Sequence, residues 1–220
     1  MKKPHTIFLD IDGTVTSGEV TAWDLITTNL DQSLEEHHHL LLLLRNGEIT
    51  TQEAINGLSN MWKNADNHSK EMFIKIFEQI EIRDDVLPFR EYLKQNSIEL
   101  VLLSGTPDLN LNRIKQKLDI EYGFTSTKFI FDEDSNFSTF VYAVDEAEEK
   151  LNIFSKYLID NNLSPEQVWM IGDGSNDLEV MKKSAFCAAP RHTVSDKILD
   201  EVDMLYESMD EIVEILKRLD

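Results

Sequence analysis

The amino-acid sequence predicts an α/β fold, a doubly wound parallel sheet interrupted early by an inserted block of helices. Three observations predict it. A short apolar run, Thr6-Ile7-Phe8-Leu9, stops on carboxylates and a glycine; residues 16–84 carry only helix-period patterning; and from residue 85 runs of strand length alternate with amphipathic stretches. The expected organisation is a core of residues 1–15 and 85–220 and a helical insertion of residues 16–84.

Taken in order, the first run reads as a buried strand whose carboxyl end carries Asp10, Asp12, Gly13 and Thr14. Helical patterns follow at Trp23–Leu30, Leu34–Arg45, Glu53–Trp62 and Glu71–Ile80. Thr50 and Glu53 have capping-box spacing, and Asn46-Gly47 is a stop signal. Consecutive histidines on a helix point in different directions, so His37-His38-His39 reads as an exposed polar patch. Val86–Gln95 is a helix and Ile98–Leu103 a buried strand ending at Ser104-Gly105-Thr106, with a helix from Pro107 to Leu118. Lys128–Phe131 and Phe137–Val144, joined by the polar stretch Asp132–Asn136, have the form of a hairpin. Glu146–Asn161 is a helix, Val168–Ile171 a strand running into Gly172–Asp177, and Ser208 with Glu211 caps a last helix to Leu219.

Composition bounds the function. With 41% hydrophobic residues among 220, the chain can bury a sizeable core. Its 41 acidic against 21 basic residues, a net charge of -20, repel polyanions, so nucleic acid and anionic membrane surfaces are not expected partners. The longest apolar run, Leu40–Leu44, is too short to span a bilayer, and the N-terminus leads into the first strand without an apolar signal segment. The single cysteine, Cys187, lies in the apolar run Ala185–Ala189 and reads as a buried, inert thiol. A cytoplasmic protein is the expectation, although export by a specialised secretion route leaves no such mark.

In a doubly wound sheet, ligands bind beyond the carboxyl ends of the strands, where three predicted strands here carry functional groups. Two carboxylates two residues apart lie on one side of an extended chain and repel each other unless a cation or a tuned pKa compensates. Phosphoryl transfer supplies a reason for that cost. Asp10 is the candidate nucleophile, forming an aspartyl-phosphate, and Asp12 the general acid and base. Ser104 and the amides of Gly105 and Thr106, read as the start of a helix, are candidate phosphate ligands, and Thr14 could hold the phosphate or cap the turn. Asp173, with Asp10 and the backbone carbonyl of Asp12, offers hard oxygen ligands for Mg²⁺; Asn176 and Asp177 are placed to support that shell or the phosphate. The run Gly172–Asp177 lacks the third glycine of a dinucleotide fingerprint. The remaining requirement is a cation for the phosphate oxygens, and the residues alone leave Lys150 and Lys156 as competitors.

Asp10-Ile11-Asp12-Gly13-Thr14, Ser104-Gly105-Thr106, Lys150 and Gly172–Asp177 resemble the four ordered motifs of the haloacid dehalogenase superfamily of phosphatases, across nearly the whole chain. The resemblance implies a Rossmann-like core with a cap, Mg²⁺ as cofactor, and phosphatase rather than dehalogenase chemistry, because Asp12 follows the nucleophile by two residues. The helical insertion is similar to the cap of the phosphoserine phosphatase-like branch. That likeness implies that Glu19 contacts a substrate amino group, favours Lys150, which stands 23 residues before Asp173, and makes Arg45 the candidate for a substrate carboxylate.

The expected activity is hydrolysis of a phosphomonoester, with a small phosphorylated metabolite such as phosphoserine placed ahead of a phosphoprotein substrate. Trp23, Trp62 and Phe73 could wall a site for an aromatic phosphate, though packing between helices explains each. The rival of another class is a receiver-type signalling domain, which also gathers acids, a hydroxyl and a lysine on a doubly wound sheet.

Overall fold

Strand β1 (Thr6–Leu9) is buried at all four positions, which is why its sequence is a continuous apolar run rather than an alternation. The computed structural model describes residues 2–18 and 20–219. After β1 come helices α1 (Ala22–Asn29), α2 (Leu34–Arg45), α3 (Thr51–Lys63), α4 (Lys70–Glu78) and α5 (Val86–Gln95). Strand β2 (Glu99–Pro107), α6 (Asp108–Leu118), β3 (Tyr122–Phe131), β4 (Phe137–Val141) and α7 (Glu146–Asp160) follow. The chain ends with β5 (Val168–Ile171), α8 (Leu178–Met181), β6 (Phe186–Pro190), β7 (Met204–Tyr206) and α9 (Met209–Lys217).

One seven-stranded sheet in the order β4-β3-β2-β1-β5-β6-β7 places β1 at its centre, paired in parallel with β2 and β5. All neighbours are parallel except β3 and β4, because the short turn between them can only return the chain antiparallel. Ile7 and Leu9 pack with Phe89 of α5, Ile114 of α6 and Ile212 of α9. Phe8 packs in a separate cluster with Phe154 and Tyr157 of α7 and Val180 of α8. Helices therefore cover both faces, and Cys187 lies buried in β6 with its thiol pushed up to about 11 by burial.

The insertion leaves the sheet beside a bridge between Thr16 and Ile82, where Arg83 N–H also donates to Val15 O at 3.0 Å. The capping box of Thr50 and Glu53 opens α3, and Asn46 with Gly47, at φ +72°, closes α2. The insertion's apolar cluster is not made by its helices alone. Trp62, Phe73, Ile76 and Phe77 pack against Phe129, Phe137 and Phe140 of the β3–β4 hairpin, so the sheet's edge completes the insertion's core.

The histidine run departs from expectation at its first member. His37 is fully buried; its Nδ1 lies 2.8 Å from Thr27 Oγ1, which also accepts the Trp62 indole N–H at 3.0 Å. Because His37, Leu34 and Leu41 follow one another at intervals of three and four, they share a helical stripe, in which His37 is buried and the two leucines are partly buried. His38 fits the exposed reading and pairs with Asp24 at 2.8 Å.

Candidate active site

The parallel register brings the carboxyl ends of β1, β2 and β5 side by side. After Leu9, the amide of Asp10 still bonds to Ile171 O at 2.9 Å, and then the chain coils so that Thr14, Val15 and Thr16 all donate to Ile11 O. Gly13 makes this possible at φ +86°, and a side chain there would collide with the Asp173 carboxylate. Thr14, expected to hold phosphate or cap the turn, has a buried hydroxyl without a partner among the described residues, and Thr16 Oγ1 instead accepts the Gly13 amide at 3.3 Å.

Lys150 reaches this turn from α7. Its ammonium donates to Asp10 Oδ1 at 2.8 Å and Asp177 Oδ1 at 2.7 Å, with all three side chains essentially buried. Burial alone would push the lysine pKa down, but Asp10, Asp177 and Glu146 outweigh it and hold the ammonium charged, above its ordinary range. Lys156, by contrast, is exposed and pairs with Asp160. Asp177 is pushed up by burial, partly offset by Lys150, and its second oxygen accepts the Gly174 amide at 3.1 Å.

Asp12 is raised to about 7, first by burial and then by the Asp10 charge, while a hydrogen bond from Thr106 and the Lys150 charge oppose the shift. A carboxyl held there is partly protonated at neutral pH, as a general acid requires. Behind it stands a chain that sequence reading missed. The Asn110 amide donates to Thr106 Oγ1 at 2.9 Å, and Arg113 donates to Asn110 Oδ1 at 3.0 and 3.2 Å. Asn110 and Thr106 are buried on the first turn of α6 and the end of β2, and their contact depends on the bend between those elements.

Asp10, Asp173 and Asp177 each offer a carboxylate oxygen, all within 4.8 Å of one another. Burial, followed by the charges of Asp10 and Asp177, raises Asp173 to about 8. Three crowded carboxylates, two of them bonded to the Lys150 ammonium, fit a hard divalent cation, which would relieve their repulsion. Asp177, expected to support the ligands, converges with Asp10 and Asp173; the Asp12 carboxylate is engaged by Thr106, which leaves untouched the backbone carbonyl expected to face the cation.

The expected phosphate ligands are arranged differently from the reading of a helix start. Ser104–Pro107 belongs to β2, whose register with β3 shifts at this point, and α6 begins only at Asp108. The Thr106 amide donates to Ser104 Oγ at 3.2 Å and so already has a partner. A side chain at Gly105 would meet the carboxylate of Glu146, which accepts the Asn176 amide at 2.8 Å and the Tyr142 hydroxyl at 3.2 Å. Glu146 was not among the expected site residues, yet its spacing to Lys150 is i, i+4, which sets both on one face of α7.

Next to Tyr142 a cavity of about 780 Å³ opens between the insertion and β4, lined by Trp23, Leu41, Leu44, Ile55, Phe140 and Tyr142 among others. Arg45 lines it at an exposed position, close enough to influence the Tyr142 hydroxyl. Trp23 alone of the three aromatic candidates lines this cavity; Trp62 and Phe73 are fully buried in the insertion's core. Glu19 lies outside the described residues.

A family model described as haloacid dehalogenase-like hydrolase matches residues 4–184. The chain is 25% identical over 221 residues to the phosphoserine phosphatase of Methanocaldococcus jannaschii, covering 98% of each. It is 26% identical over 155 residues to a probable phosphoserine phosphatase of Schizosaccharomyces pombe, covering 68% of this chain and 51% of that one. Among solved structures, a phospho-aspartyl intermediate analogue of phosphoserine phosphatase superposes with a TM-score of 0.76 at 20% identity, over 98% of this chain and 99% of the other. A probable phosphoserine phosphatase from Vibrio cholerae gives 0.82 at 17% identity, over 99% and 65%.

Proposed function

The chain belongs to the haloacid dehalogenase-like hydrolase family, and from that premise we propose that it is a Mg²⁺-dependent phosphatase that hydrolyses a phosphomonoester through a phospho-aspartyl intermediate on Asp10. The observation that carries this reading is the Lys150 ammonium bridging Asp10 and Asp177 beside a protonatable Asp12. An Asp10 oxygen attacks phosphorus and the bond to the leaving oxygen breaks. Asp12 gives its proton to that oxygen. Asp12, now a carboxylate, takes a proton from water as the water attacks the phosphoryl group. Inorganic phosphate departs, Asp10 is regenerated and Asp12 is again protonated. Lys150 orients Asp10 and offsets negative charge at the reacting oxygens, while Ser104 and the Gly105 amide receive the phosphoryl oxygens. Asp10, Asp173 and Asp177 would hold Mg²⁺, which supplies charge neutralisation when an anionic nucleophile meets an anionic phosphate.

A small phosphorylated metabolite of the phosphoserine kind is the substrate class supported by the names of the curated relatives. The cavity beside Tyr142 favours a second reading. Its lining of Trp23, Phe140, Leu41 and Leu44 suits a large apolar or aromatic leaving group, such as a phosphotyrosine side chain, better than serine.

Phosphate release with Mg²⁺ and with EDTA, for wild type and Asp10→Asn, on p-nitrophenyl phosphate, phosphoserine, other small phosphates and phosphotyrosine peptides tests both levels. Metal-dependent turnover that disappears in the variant is the expected result. Phosphoserine as best substrate selects the first reading and a phosphotyrosine peptide the second. A phosphorylated form that persists for hours would instead favour the receiver-type rival.

A further inference from the structure

We propose that Glu146 is a resident anion of the phosphate cradle, a specificity-determining carboxylate that every incoming phosphoryl group must displace. The inference rests on the phosphatase reading and adds to it a reason for discriminating between substrate and product. The groups around Glu146 carry the argument. Its carboxylate fills the space over Gly105, where even one added carbon would collide with it. Its Oε1 accepts the Asn176 amide at 2.8 Å and its Oε2 the Tyr142 hydroxyl at 3.2 Å. It stands at i, i+4 to Lys150 on the same face of α7, so both reach the site from one side. Gly105, Asn176 and Lys150 are the groups a phosphoryl moiety needs. A carboxylate is a negatively charged acceptor as phosphate is, and of these groups Asn176 is the donor that Glu146 already engages, while its oxygens occupy the space beside Gly105.

Two anions cannot share this cradle without repulsion, so phosphate binding requires Glu146 to withdraw. Free inorganic phosphate brings nothing to compensate. A phosphomonoester does, because its leaving group occupies the cavity that begins at Tyr142, the other partner of Glu146. Remote binding by the leaving group is thus used to displace the carboxylate. After hydrolysis the leaving group departs, and Glu146 is poised to return and expel the phosphate.

The test is binding of inorganic phosphate to the Mg²⁺-loaded protein, by calorimetry and by competitive inhibition of p-nitrophenyl phosphate hydrolysis, in wild type, Glu146→Gln, Glu146→Ala and Glu148→Gln. The glutamine retains an acceptor for Asn176 and nearly the same shape, so it removes the charge with least disturbance to the fold. Glu148 is an exposed glutamate in the same helical turn and controls for long-range charge. Phosphate should bind about fivefold or more tightly to both Glu146 variants and unchanged to Glu148→Gln, with a smaller change in KM for substrate. Unchanged or weaker phosphate binding in Glu146→Gln and Glu146→Ala overturns the proposal, as does equal tightening in Glu148→Gln. If no phosphomonoester is turned over by wild type but phosphate still binds more tightly to the Glu146 variants, the resident-anion proposal stands and the catalytic reading falls.

Discussion

Lys150 Nζ lies 2.8 Å from Asp10 Oδ1, with both side chains almost fully removed from solvent. Truncating one member of such a buried set leaves the others uncompensated, at a cost of about 3–5 kcal/mol. Lys150→Met should therefore lower stability by roughly that amount and abolish turnover. Chemical denaturation and phosphate release measure the two effects. Retention of wild-type stability would mean that Asp10 and Asp177 can be relieved without the ammonium.

Asp10→Asn should remove turnover altogether, because an amide oxygen cannot serve as the nucleophile. Asp12→Asn retains the nucleophile but loses proton transfer in both half-reactions, with an expected decrease of about 10²–10⁴-fold in kcat. Phospho-enzyme trapping by acid quench, followed by intact mass, checks the order of events. A phosphorylated adduct is expected in Asp12→Asn and not in Asp10→Asn.

Thr106 connects Asp12 to Asn110 and Arg113. Thr106→Val removes a hydrogen bond to the Asp12 carboxylate, so the Asp12 pKa should move further up and kcat should fall about tenfold. Asn110→Ala should act in the same direction through the loosened Thr106 hydroxyl. Equal loss of kcat in the single and double variants would identify one pathway, whereas additive losses would show two separate effects.

Divalent cation binding should stabilise the folded chain by mass action. Adding Mg²⁺ should raise the thermal midpoint in a concentration-dependent manner, and EDTA should reverse the gain. Asp173→Asn removes the charge of one of the three converging carboxylates and should diminish that response. An identical Mg²⁺ response in wild type and Asp173→Asn would exclude Asp173 from the cation site.

His37 gives the insertion a pH dependence with a definite sign. Burial holds its pKa below the ordinary 6.5, assisted by the charge of neighbouring His38 and opposed by Asp24. The folded chain thus binds fewer protons at this site than the unfolded chain does. Its contribution to stability is complete above about pH 6.5 and declines as pH falls below that value toward the lowered folded pKa, by at most about 1.4 kcal/mol per pH unit. In His37→Gln the stability loss relative to wild type should shrink between pH 7.5 and pH 5.5, measured by denaturant unfolding. A constant difference across that range would show that His37 does not titrate within it.

Much of the candidate site was legible because its residues sit where buried strands end. Asp10 and Asp12 follow β1, Ser104 ends the apolar run of β2, and Asp173 follows β5; their residue types are costly at such positions without a charge-based reason. The capping boxes of α3 and α9 were equally legible, since each is made by residues four apart or fewer. Lys150 was separable from Lys156 only by family resemblance, because both fit an amphipathic helix and nothing local tells which faces the sheet.

By itself the sequence determined the alternation of strands and helices, the run of helices between the first two strands and the identity of the groups at the strand ends, all of which depend on local periodicity and turn chemistry. Only the tertiary structure decided which distant groups meet. It set Lys150 between Asp10 and Asp177, placed Glu146 against Gly105 and Asn176, buried His37 beneath Thr27 and Trp62, and used the β3–β4 hairpin to complete the insertion's core. These contacts depend on helix rotation and on packing between segments many residues apart. A rotation of α7 that leaves its amphipathic pattern intact would carry Lys150 and Glu146 away from the site together, and local sequence cannot distinguish that arrangement from the observed one.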